Sequence, residues 1–68
     1  MSAAELQAWL EYAMCMRNEG VAVSDPDPLK GYPPGVPREV LRGQQALLEK
    51  ANQACDDRAQ AARQARHR

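Results

Sequence analysis

Apolar residues recur along the first part of the chain at helical spacing. At about 100° per residue, Leu6, Trp9, Leu10, Ala13, Met16 and the aliphatic stem of Arg17 fall on one stripe. Ala8, Tyr12 and Cys15 widen that stripe on one flank, and Gln7, Glu11 and Asn18 lie opposite. The pattern predicts an amphipathic helix from about Ser2 to Glu19. Ser2-Ala3-Ala4-Glu5 has the form of a capping box, in which the hydroxyl accepts from the N–H three residues on and the Glu reaches back. Gly20 is the natural stop, because glycine takes the left-handed conformation after a helix without strain.

The next stretch, Val21 to Val36, excludes a helix. It holds Pro26, Pro28, Pro33, Pro34, Gly31 and Gly35, with Pro37 just beyond. Proline fixes φ, removes a donor and drives the preceding residue to extended conformations. Asp25-Pro26-Asp27-Pro28 therefore reads as extended or turn-like, and Tyr32-Pro33-Pro34-Gly35 as a tight turn. Loops of this length are uncommon in a compact domain. Val21, Val23, Leu29 and Tyr32 give it apolar pegs and predict an ordered segment.

A second helical pattern begins at Pro37, which suits a first turn. Val40, Leu41, Leu47, Leu48, Ala51, Ala54 and Cys55 share one face. Arg42, Gln45, Glu49, Asn52 and Gln53 share the other. Gly43 costs about 1 kcal/mol relative to alanine and is expected where something packs close. The helix is placed from about 37 to 58, with 59–68 a basic tail that frays. No run alternates with strand periodicity, and no internal repeat is present.

Composition sharpens this picture. The 68 residues allow one domain, residues 1–68, with no Phe and an apolar fraction weighted to alanine. A chain this short is marginal by itself and needs a staple or a partner. Its two cysteines lie on or beside the apolar face of their helices. They favour one structural disulfide, Cys15 to Cys55; the alternative is two buried free thiols in a cytosolic helix pair. Cys15 is about one turn from the end of its helix, and Cys55 lies about 27 Å along the second. Joined antiparallel, the second helix starts about 20 Å beyond the first, a span that an extended loop covers at ~3.3 Å per residue. The fold class expected is all-α: a two-helix, disulfide-stapled hairpin with a long Pro-rich ordered loop covering Val40, Leu41, Leu47 and Leu48. That arrangement favours a monomer. The competing one leaves the loop mobile and buries those side chains in a homodimer.

The formal net charge is zero, but unevenly placed. Through Asp27 there are five acids and one base; from Pro28 onward there are eight bases and four acids. The basic end lacks aromatics and is diluted by Ala and Gln, so it reads as a solvated helix end and not as a nucleic-acid surface. No apolar run approaches the ~20 residues of a membrane span. No signal peptide opens the chain, so an exported protein would carry these residues as a mature segment.

Little chemistry assembles. Met14, Cys15 and Met16 form a soft-ligand cluster of the type that suits Cu(I), though adjacent residues point apart on a helix. Asp25, Asp27 and Glu19 lack the EF-hand spacing for calcium. The only His, His67, lies near the end, and no Gly-rich phosphate loop is present, so no catalytic residue, cofactor or resident metal is assigned. Arg17 projects from the apolar stripe near the helix C-terminus, where a cation meets the dipole favourably. It is placed to clasp Asp25 or Asp27 as the chain turns back.

Tyr12-Ala13-Met14-Cys15-Met16-Arg17-Asn18-Glu19-Gly20-Val21, then Asp25-Pro26-Asp27-Pro28, then Ala51-Asn52-Gln53-Ala54-Cys55 resemble a module of secreted lipoproteins and exporter-associated envelope proteins of high-GC Gram-positive bacteria. That module carries aromatic-Ala-x-Cys-Met-Arg-x-x-Gly-Val, an Asp-Pro segment and Ala-x-x-Ala-Cys. The resemblance covers about two-thirds of the chain. Ser24 stands where the module has an apolar residue or proline. The resemblance implies an extracytoplasmic module with its cysteines bridged.

The function expected is a non-enzymatic cell-envelope interaction module that binds a protein or cell-wall partner. Its candidate surface comprises Trp9, Asp25, Asp27 and Tyr32. One alternative is a small cytosolic helical adaptor or regulator, dimeric and with free thiols. Another is a copper binder using Met14, Cys15 and Met16.

Overall fold

A computed structural model describes residues 1–66; His67 and Arg68, the end of the expected tail, lie outside the described residues. The chain is all-α. Helix α1 spans Ala3–Asn18, α2 spans Arg38–Gly43 and α3 spans Gln45–Arg66. The two long helices pack antiparallel, and a disulfide joins Cys15 to Cys55 with the Cα atoms 5.9 Å apart. That spacing lies within the ordinary range for a bridge. Closing a loop of 40 residues contributes up to about 4 kcal/mol by chain-entropy arithmetic. No helix of the described residues is long and apolar enough to cross a membrane.

Both ends of α1 follow from local chemistry. At the start, the Glu5 N–H donates to Ser2 Oγ at 3.1 Å. The reciprocal half of the box is not made, because the Glu5 carboxylate turns to the Trp9 indole N–H instead. At the end, Gly20 takes φ +95°. Its N–H donates to Arg17 O, and the Val21 N–H donates to Met16 O. This is a Schellman motif, and its usual apolar contact is Val21 against Met16, both fully buried. The stop signal thus also delivers the first loop residue to the core.

The core has two parts. The first gathers Ala13, Met16, Val21, Val23, Val40, Ala51 and Cys55, with Val36, Leu47 and Leu48 half-buried around it. The second sets Ala8 and Trp9 of α1 on Ala59 and Ala62 of α3. On α3 the buried positions are Ala51, Cys55, Ala59 and Ala62, all small and helically spaced. Small side chains allow close approach but bury little area each. Trp9 therefore carries much of the apolar burial in the second part.

Four expectations change here. The second helix is broken after Gly43, at Gln44 with φ −134° and ψ 45°. The break lets α2 fold onto α3 and place Val40 in the core, while Leu41 stays half-exposed. Gly43 meets nothing within 4 Å of where a Cβ would stand, so it ends a helix and accommodates no close neighbour. Finally, 59–66 is not frayed. It continues α3, held by Trp9 over Ala59 and Ala62. The cover expected over the leucines is also only partial. Val21 and Val23 are inside, but Leu29 and Tyr32 are in solvent.

Candidate functional site

The segment from Ser24 to Gly35 forms a finger closed at three levels. At its root, the Arg17 guanidinium donates to Val23 O at 3.1 and 3.3 Å and to Asp25 Oδ1 at 2.6 Å. A planar fork can serve a carbonyl and a carboxylate together, which a lysine ammonium does less well. Next, the Ser24 N–H donates to Gly35 O at 3.0 Å, and the Gly35 N–H donates to Ser24 Oγ at 2.9 Å. Ser24, out of place in the resembling module, thus closes the neck of the finger in this chain.

Nearer the tip, Asp27 and Tyr32 form an isolated antiparallel bridge, with N–H to O distances of 2.9 and 3.1 Å. Asp27 Oδ1 also accepts from the Leu29 and Lys30 N–H groups at 3.0 and 3.1 Å. This is an Asx turn, the local bond that aspartate makes two residues on. Gly31 closes the turn at φ +74°. Pro26 is buried and pins one arm, while Pro28 and Pro33 are exposed on either side of the tip.

The outward side chains differ in kind from the inward ones. Asp25 is committed to Arg17 and Asp27 to its own turn. Leu29 is 96% exposed, Tyr32 is 62% exposed, and Lys30 stands between them in sequence, also exposed. The tip therefore offers an aliphatic, a cationic and an aromatic group on a backbone that is already fixed.

The remaining candidates fall elsewhere. Trp9 is 8% exposed and belongs to the core, not to a binding surface. Its ring meets Tyr12 edge-on at 5.4 Å. The Tyr12 hydroxyl donates to Asn52 Oδ1 at 3.2 Å. Burial pushes this phenol above its ordinary value, and Arg63 partly offsets the rise.

Met14 is exposed and Met16 fully buried, and Cys15 is bonded to Cys55. The three soft ligands therefore do not converge, and the free-thiol adaptor loses its thiols. Sequence reasoning missed Leu29 as the tip. The available signal was Asp27-Pro28 with Gly31 four residues after the Asp, a turn signature that places the residues between at an apex. Comparison with protein-family models, curated proteins and solved structures finds no match for this chain.

Proposed function

We propose that this chain is a non-enzymatic interaction module of the cell envelope, working outside the cytoplasm and gripping a protein or cell-wall partner with the finger. The observation that carries the reading is Leu29. A scattered surface leucine means little. This one stands at the apex of a loop tied by Arg17, Ser24 and Asp27. Ordering a loop on binding costs free energy, about 0.5–1.5 kcal/mol for each immobilised rotamer-rich side chain. A finger fixed beforehand avoids much of that cost. The compartment is supported by the bridge, since such disulfides persist in oxidising surroundings and are rare in the cytosol.

The test is done in the cells that make the protein. Thiols are trapped at lysis, and a photoreactive residue is placed at position 29 or, as control, at exposed Gln60. The expected result is an oxidised Cys15–Cys55 pair and a discrete envelope crosslink from position 29 alone. Reduced cysteines in the trapped protein overturn the compartment. Identical crosslinks from Gln60 overturn the finger as the binding element.

A further inference from the structure

A shallow groove opens beside the disulfide, lined by Glu11, Met14, Cys15 and Asn18 of α1, by Glu19 at its C-cap and by Arg58 of α3. The two sulfurs stand differently toward it. Cys15 is partly exposed and lines the groove, whereas Cys55 is fully buried with Ala13, Met16, Val21 and Ala51. We infer that the groove is a thiol-exchange site, at which an incoming thiolate attacks Sγ of Cys15 and is kept from Sγ of Cys55, and that it favours small thiols carrying positive charge.

The exchange balances without a further reagent. The thiolate places its electron pair on Cys15 Sγ and forms a mixed disulfide there. The Cys15–Cys55 bond breaks, and its electron pair leaves on Cys55 Sγ, which takes a proton from solvent. A second thiolate then attacks the mixed disulfide and releases the small disulfide with reduced Cys15. Access decides which sulfur is attacked. The leaving thiolate is born in an apolar core, which disfavours it and slows the step. The site is thus selective and slow, opening only to a reagent that fits the groove.

Charge supplies the selectivity. Glu11 on α1 and Glu19 at its C-cap stand four residues to either side of Cys15, and all three line the groove. Arg58 is the one cation in the lining, and its Nη1 is already 3.3 Å from Asp57 Oδ1. The lining is net acidic, so it draws an ammonium-bearing thiol and repels one bearing carboxylates.

The folded, oxidised protein is treated at low ionic strength with cysteamine or glutathione at equal thiolate concentration. The reaction is quenched in acid and mapped by peptide mass. Adduct is expected on Cys15 over Cys55 by about tenfold or more. Cysteamine is expected to react about threefold or more faster, the ratio falling toward one in ~1 M salt and in the Glu11→Gln/Glu19→Gln variant. Adduct shared equally or found on Cys55 overturns the assignment. So does an exchange rate that rises with urea in step with global unfolding. Equal rates for the two thiols at low salt overturn the charge preference.

Discussion

The indole N–H of Trp9 donates to Oε2 of Glu5 at 3.2 Å, and both side chains are buried. One helical turn separates them, so α1 brings its own acceptor to its own largest side chain. Glu5 leaves the capping box half made to do this. The consequence is that the indole can pack with Ala59 and Ala62 without burying an unpaired donor.

Trp9→Phe keeps most of the apolar area but strands the Glu5 carboxylate, with an expected loss of about 1–3 kcal/mol. Trp9→Ala removes the main side chain of the second core part and is expected to cost about 3–5 kcal/mol. Urea midpoints by circular dichroism check both. A Trp9→Phe midpoint equal to that of the parent protein would show that the bond contributes nothing.

Arg17→Ala is expected to lower stability by about 1–2 kcal/mol, while Arg63→Ala changes it by less than about 0.5 kcal/mol. The ion pair with Asp25 is exposed and by itself contributes only about 0–1 kcal/mol. The two bonds to the Val23 carbonyl supply the rest, because they hold a buried valine in place. Arg17→Lys is expected to fall between, since an ammonium cannot reproduce the fork. Equal denaturation midpoints for the Arg17→Ala and Arg63→Ala variants would remove the clasp.

Asp27→Ala is expected to loosen the tip without unfolding the helices. The Leu29 and Lys30 N–H groups lose their acceptor, and their amides gain fast motion in nitrogen-15 relaxation. Asp27→Asn keeps a carbonyl oxygen in the same place and is expected to leave those amides rigid. If the alanine variant relaxes like the parent protein, the Asx turn is not what braces the finger.

Tyr12 sets an alkaline limit. Its ordinary value is 10.0, and burial raises it in the folded protein. Above pH 10 the unfolded chain has lost the phenol proton while the folded chain still holds it. Fewer protons on the unfolded state make stability fall as pH rises. The contribution is therefore whole below pH 10 and declines as pH climbs toward the raised folded value. Tyr12→Phe is expected to flatten that part of the curve, and urea midpoints from pH 9 to 11.5 give the readout (roughly the window in which tyrosines titrate). A variant with the parent's slope would place the alkaline sensitivity on other groups.

The sequence by itself determined α1, the disulfide pairing as the favoured arrangement, and the ordered start of the loop. These depend on contacts within a few residues or on a scarce residue type. Ser2 marks one helix end through its own hydroxyl and Gly20 the other through its backbone geometry, and two cysteines in one thin core have one obvious partner each. Arg17 was legible as a clasp for a similar reason, since a helix end and the acids just after it must lie near one another. The tertiary structure decided the rest. Ala59 and Ala62 carry too little hydrophobic signal to predict burial, and it is Ala8 and Trp9 arriving from α1 that cover them, on a helix that runs to Arg66. The break after Gly43 reflects where Val40 finds the core, a choice no helical periodicity contains. Leu29 shows the same limit in reverse. Its hydrophobicity suggests a peg, but Ser24 bonding to Gly35 and Asp27 to Tyr32 close the finger first and leave that leucine pointing at water.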